Sequence, residues 1–145
     1  MREERSAGAL IYRRDKSNEK IYYLLLKYNS GHWGFAKGNI EEGEDLKETT
    51  IREIKEEIGL EDIKFINGFK EKIEYYYYLN GKKTHKIVSF FLCETNTKQI
   101  RISNEHEGYK WATYPNALKM VQFKNSKRIL KKAHKKITSM LDQYI

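Results

Sequence analysis

The sequence has little of two residues that shape many small proteins, cysteine and proline. Its 145 residues include one cysteine, Cys93, and one proline, Pro115. A single cysteine excludes an intrachain disulfide framework and a thiolate metal cluster, and its place in an apolar run favours a buried side chain in a reduced compartment. There is no proline-rich or glycine-serine linker and no internal repeat. We therefore expect one domain over residues 1–145.

Long apolar runs are also absent. The charged segment Met1–Arg5 leads into an apolar stretch of only a few residues, which is too short for a signal peptide or a membrane-spanning helix. From this we expect a cytoplasmic protein without a membrane partner. We also expect it to be a monomer.

Positive charge predominates, with 28 Lys and Arg against 20 Asp and Glu and a net charge of +8. Such an excess favours anionic partners, such as phosphates or nucleic acid. Much of it lies in the last quarter of the chain, where a solvated helix face is the ordinary explanation. The acids instead concentrate between Glu41 and Asp62. One acidic focus within a basic chain indicates a cation site.

Apolar periodicity and turn residues predict an α/β architecture. The predicted strands cover residues 6–13, 21–28, 63–79, 84–95 and 109–113. The dipeptide Asn80-Gly81 predicts a type I′ hairpin turn between the third and fourth of them. The predicted helices cover residues 45–58, 116–121 and 126–144, the last ending at Tyr144. A mixed sheet with interspersed helices makes a sandwich the expected arrangement.

The first predicted helix has one apolar arc and one acidic edge. The residues expected to pack on the sheet are Leu46, Thr50, Ile51, Ile54 and Ile58. Helical geometry puts Glu53, Glu56 and Glu57 within about 100° of one another on a neighbouring edge, facing a cleft. Because like charges repel, their placement indicates a cation, and hard oxygen ligands suit Mg²⁺ or Mn²⁺. A solvated acidic face is the alternative when these carboxylates are taken alone.

The spacing across residues 38–60 decides between these interpretations. The order is Gly38, five residues, Glu44, seven residues, Arg52-Glu53, Ile54, one residue, Glu56-Glu57, one residue, Gly59 and Leu60. This order resembles a complete Nudix box. The resemblance implies a Nudix-type α/β/α sandwich in which a loop-helix-loop holds divalent metal ions.

The same resemblance implies roles for individual residues. Glu53, Glu56 and Glu57 would be metal ligands, and Arg52 would orient a glutamate. Glu44 would steady the loop through Arg52, Gly38 would let the backbone turn close to the metal, and Gly59 would end the helix. A further glutamate outside the box often completes the metal shell or accepts the proton of water in this family, and Glu105 is the candidate. The base is then Glu56 or Glu105.

Beyond the box, the chain resembles the asymmetric diadenosine tetraphosphate hydrolases from Ser6 to about Lys131. The matching stretches are Ser6–Arg14, Tyr23–Leu26, His32–Phe35 with Lys37-Gly38, Gly68–Lys70, Ser103–His106 with Tyr109 and Trp111, and Gln122–Lys124. One departure is Ala36, where that subgroup usually has proline. Alanine is expected to loosen the approach to Lys37 without removing a catalytic group.

Five residues outside the acidic helix match substrate contacts of that subgroup. His32, Lys37 and Lys86 match phosphate contacts, whereas Tyr75 and Phe123 match an aromatic pair that holds a base. Ordinary packing or surface positions are the alternative for each aromatic side chain. His32 could also simply cap a loop.

The resemblance implies hydrolysis of a nucleoside polyphosphate, with cleavage of diadenosine tetraphosphate to ATP and AMP as the expected reaction. An RNA 5′ pyrophosphohydrolase and a nucleoside triphosphate pyrophosphatase are the alternatives within the enzyme class. A non-catalytic regulator that binds nucleotides or RNA is the alternative from another class. The intact set of box glutamates argues against the regulator, because a binding module does not need them.

Overall fold

The computed structural model describes residues 1–142, and within them it contains seven strands and three helices. The strands are β1 (Arg2–Arg14), β2 (Ile21–Tyr28), β3 (Trp33–Gly34), β4 (Ala36–Asn39), β5 (Lys64–Leu79), β6 (Lys82–Glu94) and β7 (His106–Ala112). The helices are α1 (Leu46–Ile58), α2 (Tyr114–Met120) and α3 (Lys124–Asp142).

All seven strands belong to one mixed sheet. Its path is β3-β2-β1-β6-β5, with β4 paired to β1 and β7 paired to β2. The pairing of β1 with β6 is parallel, and the other pairings are antiparallel. This parallel pairing brings the amino-terminal strand beside the long β5–β6 hairpin.

Helices cover both faces of the sheet, as the predicted α/β/α sandwich requires. On one face, Ile54 and Ile58 of α1 pack with buried residues of β1 and β6, including Cys93. On the other face, Ile129 and Ile137 of α3 belong to a second buried cluster. Each helix buries its apolar stripe, so burial of apolar surface holds all three layers together.

Helix α1 begins and ends where local chemistry dictates. The side chain of Asp45 accepts from the backbone N–H of Glu48, and the side chain of Glu48 accepts from the backbone N–H of Asp45, which completes a capping box. At the other end, Gly59 has a φ of 67°, a left-handed conformation that glycine adopts without penalty. The acidic residues are therefore fixed within one well-bounded helix.

The hairpin turn also follows the prediction. Asn80 and Gly81 have φ values of 52° and 77°, as a type I′ turn requires at both central positions.

Some predictions need correction or completion. The short strands β3 and β4 were not predicted, and they carry the chain from β2 toward the acidic helix. Ile51 was expected on the packed arc of α1, but it is 48% exposed. Helix α3 begins at Lys124, two residues before the predicted start, and the predicted end at Tyr144 lies outside the described residues. Within residues 1–142, every helix is too short or too polar to cross a bilayer.

Candidate active site

Helix α1 presents three glutamates at graded depths. The side chain of Glu56 is 59% exposed and that of Glu53 is 14% exposed, whereas Glu57 is buried. Glu57 lies there because its arc of the helix faces strand β4, where the backbone N–H of Lys37 donates to Glu57 Oε2 at 3.2 Å. The acidic edge therefore runs from solvent into the protein.

Gly38 makes room for Glu53. A Cβ atom at position 38 would lie 1.9 Å from Cδ of Glu53 and 2.2 Å from its Oε1. We expected Gly38 to provide a backbone turn, but it lies within strand β4 and is not among the glycines with positive φ. What this position needs is the absence of a side chain, so that the carboxylate can approach the strand.

Arg52 connects the loop before α1 to the acidic edge. Its Nε donates to Glu44 Oε2 at 2.6 Å, and its Nη2 donates to Glu44 Oε1 at 3.0 Å, a bidentate pair. Its Nη1 donates to Glu53 Oε1 at 2.7 Å and to Glu56 Oε2 at 3.2 Å. Hydrogen bonding from Arg52 lowers the pKa of Glu44 to about 2. The predicted contact between Glu44 and Arg52 is present, and Arg52 reaches two of the proposed metal ligands.

Burial and mutual repulsion raise the pKa of two carboxyl groups of α1. Burial, followed by the charge of Glu53, raises the pKa of Glu57 to about 8. Burial also raises the pKa of Glu53, while hydrogen bonds from Arg52 oppose this shift. The charge of Glu105 raises the pKa of both groups. Burial and mutual repulsion therefore disfavour the ionised carboxylates, and a bound cation would stabilise them.

These residues fit a divalent metal ion in chemistry, although their side chains are not already arranged around one. Within residues 1–142, no three His, Cys, Asp or Glu side chains form a preassembled metal-binding group. Arg52 instead bridges Glu53 and Glu56. Carboxylate oxygens are the ligands that Mg²⁺ and Mn²⁺ prefer, and such an ion would favour the ionised form of the buried Glu57 carboxyl, whose pKa is raised to about 8. Binding a metal therefore requires these carboxylates to move closer together.

Glu105 lies beside this cluster, at the end of the loop that precedes β7. Its carboxylate is exposed, and its backbone carbonyl accepts from the N–H of Asn29 at 3.3 Å. Because its charge acts on Glu53 and Glu57, the predicted additional glutamate lies near the same acidic edge.

An open cavity of about 450 Å³ contains four of the five predicted substrate contacts in its lining. They are His32, Lys37, Tyr75 and Phe123. A volume of this order is typical of small-ligand sites. Tyr75 and Phe123 are 38% and 54% exposed, so both residues are accessible from solvent. Lys37 also reaches the acidic edge through its backbone, which connects the cavity to the glutamates.

Tyr28, which the sequence did not single out, organises the junction between the cavity and the glutamates. Its ring stacks on His32 with centroids 4.8 Å apart, and the other neighbouring ring is that of His106 at 4.5 Å. His32 in turn meets Phe123 edge-on at 5.2 Å. The hydroxyl of Tyr28 donates to the backbone carbonyl of Phe35, which ties the ring to the segment between β3 and β4.

Lys86 does not line the cavity directly. Its Nζ donates to Asn39 Oδ1 at 2.8 Å, and the backbone carbonyl of Asn39 accepts from Arg52 Nη2 at 2.9 Å. Lys86 pairs across strands with Tyr75, and burial followed by the charge of Lys37 lowers its pKa. Asn39 therefore connects the proposed phosphate-binding lysine to the arginine of the box, a link that sequence spacing alone does not reveal.

Comparisons with known proteins place this arrangement in a family. The NUDIX domain model matches residues 2–133. An asymmetrical bis(5'-nucleosyl)-tetraphosphatase of Mus musculus is 33% identical, over 93% of this chain and 96% of that protein. A dihydroneopterin triphosphate diphosphatase of Haemophilus influenzae is 26% identical, over 91% of this chain and 89% of that protein.

Solved structures agree with the sequence relatives. The crystal structure of a C. elegans Ap4A hydrolase binary complex superposes with a TM-score of 0.82 at 29% identity, covering 94% of this chain and 98% of that one. The family model covers most of the chain, over residues 2–133, and the fold and the acidic helix beside Gly38 agree with it. The chain belongs to the Nudix family.

Proposed function

We propose that this protein hydrolyses diadenosine tetraphosphate asymmetrically, to ATP and AMP. The proposal rests on the direct connection between the aromatic cavity and the acidic edge of α1. A cavity with two exposed aromatic rings lies beside Lys37, whose backbone N–H contacts the buried carboxylate of Glu57. A substrate with a base at its end and a long anionic bridge fits this order of aromatic, cationic and acidic groups. The asymmetrical tetraphosphatase relatives support the same choice.

In this proposal, Glu53, Glu56, Glu57 and Glu105 hold Mg²⁺ or Mn²⁺. When bound, such ions neutralise phosphate oxygens and lower the pKa of water. Arg52 orients Glu53 and Glu56 for that task, because its Nη1 donates to both carboxylates. Glu44 keeps Arg52 in place through its bidentate contact.

The reaction adds one water molecule across one phosphoanhydride bond. The oxygen of water attacks the phosphorus atom nearest one adenosine, in line with the bridging oxygen that leaves with ATP. Glu56 or Glu105 accepts the proton of the attacking water. Both side chains are exposed, so each can reach a water molecule at the mouth of the site.

Substrate binding is divided between cations and aromatic rings. Lys37 and His32 contact the phosphate bridge from the cavity wall, and Lys86 contacts it from strand β6. Tyr75 and Phe123 hold an adenine between them. Burial, followed by the charge of Lys37, lowers the pKa of His32, which favours the neutral imidazole, and a ring N–H can donate to phosphate.

A substrate panel tests the proposal. Release of AMP from diadenosine tetraphosphate should exceed pyrophosphate release from single nucleoside triphosphates and from 5′-triphosphorylated RNA. Faster pyrophosphate release from either alternative would replace the proposal with the corresponding pyrophosphohydrolase. Tight nucleotide binding without hydrolysis in Mg²⁺ or Mn²⁺ would instead indicate a binding regulator.

Glu57→Gln tests the metal assignment. The substitution keeps the volume of a buried side chain but removes its charge, so turnover should fall by about two or more orders of magnitude while the fold is retained. Retained turnover in the variant, with circular dichroism matching the wild type, would contradict a metal-binding role for Glu57.

The proposal also includes the setting of the enzyme. We propose one Nudix domain over residues 1–145 that acts as a cytoplasmic monomer. The buried, single Cys93 supports a reduced compartment, because no disulfide can form within the chain. Size-exclusion chromatography with light scattering tests the monomer, and a mass near 35 kDa would contradict it because one chain is 17.3 kDa.

A further inference from the structure

Helix α3 carries seven cations and no acidic residue between positions 124 and 141. We call this surface the α3 basic surface, and it comprises Lys124, Lys127, Arg128, Lys131, Lys132, Lys135 and Lys136. At 100° per residue, these side chains occupy one half of the helix circumference. The opposite half holds the buried residues Ile129, Leu130, Ala133 and Ile137.

Few of these charges are compensated within the protein. Arg128 Nη1 and Lys132 Nζ contact the same oxygen, Oε1 of Glu71, at 3.4 Å and 2.8 Å. In the described part of the chain, Glu71 is the one acid that forms ion pairs with this surface. The cations repeat at steps of three and four, and each like-charged pair at that spacing destabilises a helix by a few tenths of a kcal/mol. A bound polyanion would relieve this repulsion.

The α3 basic surface begins at the mouth of the cavity. Phe123, Asn125 and Ser126 line the cavity at the start of α3. With a rise of 1.5 Å per residue, Lys124 and Lys135 are about 16 Å apart along the helix. A linear polyanion whose end enters the cavity would therefore continue along a row of lysines.

We propose that the α3 basic surface binds single-stranded RNA that enters the cavity by its 5′ end. An exposed aromatic ring beside a cationic groove is the usual basis for binding single strands, and Phe123 provides that ring. RNA is favoured over DNA because a newly initiated transcript carries 5′ phosphoanhydrides. A membrane surface is disfavoured because the apolar stripe of α3 is buried in the core and has nothing to insert between lipids. The inference does not depend on diadenosine tetraphosphate being a substrate.

Two charge-matched double variants test the proposal. Lys131→Glu/Lys135→Glu changes the exposed middle of the surface, away from the cavity. Lys16→Glu/Lys20→Glu changes exposed lysines in the turn between β1 and β2, and it lowers the net charge by the same four units. Binding of a fluorescein-labelled 12-nucleotide RNA is measured by anisotropy in EDTA, between about 50 and 300 mM KCl, and circular dichroism checks the fold of both variants.

For single strands, the slope of log K against log salt is about −0.7 per phosphate contact. Loss of two contacts should reduce the slope by about 1.4 in the α3 variant, whereas the turn variant should keep the wild-type slope. Equal weakening in both variants, or no measurable RNA binding by the wild type, would overturn the proposal. Stronger binding to phosphatidylserine vesicles than to RNA would overturn it in favour of a membrane. Hydrolysis of diadenosine tetraphosphate is measured separately, so its absence would affect the proposed function and leave this result unchanged.

Discussion

Gly38 and the carboxylate of Glu53 occupy the same small space between strand β4 and helix α1. A Cβ atom at position 38 would lie within 2.3 Å of all three carboxylate atoms of Glu53. The backbone of β4 thus limits where the Glu53 carboxylate can lie. A methyl group added at Gly38 would displace this proposed metal ligand.

Gly38→Ala should therefore reduce activity more than stability. The clash involves the far end of a flexible side chain, which can rotate away, so the fold should survive while the carboxylate is displaced. A displacement of about 1 Å in an active site can cost about 100-fold in rate. Turnover and thermal unfolding of the variant measure the two effects.

Gly8→Ala is the matched control, because the added methyl would meet backbone instead. Its Cβ would lie 2.0 Å from the carbonyl oxygen of Ala36 and 2.7 Å from Cα of Lys37, across the β1–β4 pairing. We expect a loss of about 1–3 kcal/mol in the free energy of unfolding. If Gly38→Ala were the less stable variant and retained full activity, the proposed role of this glycine would be wrong.

Arg52→Lys should reduce kcat by about 10–100-fold, the usual effect of changing a residue that orients metal ligands. Lysine has one nitrogen and cannot donate to Glu44, Glu53 and the carbonyl of Asn39 together, as Arg52 does. Arg5→Lys is the control, since Arg5 forms an exposed ion pair with Glu3. Equal activity of both variants would show that the simultaneous hydrogen bonds of the Arg52 guanidinium are not needed for turnover.

Asn39→Ala should raise KM more than it lowers kcat. The variant loses the acceptor that holds Nζ of Lys86, and a hydrogen bond to a charged group contributes about 1.5–3 kcal/mol, or roughly tenfold or more in affinity. Ser6→Ala removes the other donor to the same amide oxygen while leaving Lys86 in place, so its KM should change little. A similar KM in both variants would contradict a role for Lys86 in substrate binding.

His134 makes the stability of the fold sensitive to acid. Its ring stacks on Tyr114 at 3.8 Å, its Nδ1 lies 2.7 Å from the hydroxyl of Tyr23, and burial lowers its pKa. The unfolded chain takes up the proton first, near pH 6.5, so stability present above that pH is lost as the pH falls toward the folded-state pKa. Between pH 7.5 and 5.5, the melting temperature should fall more in the wild type than in His134→Phe, and equal falls would contradict the prediction.

Features set by neighbouring residues could be predicted from the sequence. The limits of α1 follow from Asp45, Glu48 and Gly59, whose capping contacts span only a few positions. The hairpin turn follows from Asn80-Gly81 in the same way. The strands β3 and β4 could not be predicted, because two and four residues carry no periodicity and depend on distant partners in β2 and β1.

Burial of a charged residue explains the misplacement of Ile51. The packed arc of α1 includes Glu57 and Thr50 alongside Ile54, so it is turned away from Ile51. Hydrophobicity alone assigns Glu57 to solvent and Ile51 to the core. The contact of Lys86 with Asn39, 47 residues apart in sequence, is equally invisible to local patterns because the parallel pairing of β1 with β6 creates it.

Hydrolysis of diadenosine tetraphosphate in ¹⁸O-labelled water, with and without Mg²⁺ or Mn²⁺, reports both the metal requirement and the phosphorus atom that water attacks. We expect metal-dependent formation of AMP and ATP in equal amounts, with one ¹⁸O atom in AMP and none in ATP, because water attacks the phosphorus nearest adenosine. Formation of two ADP molecules, label in ATP, or no hydrolysis in either metal would contradict this expectation.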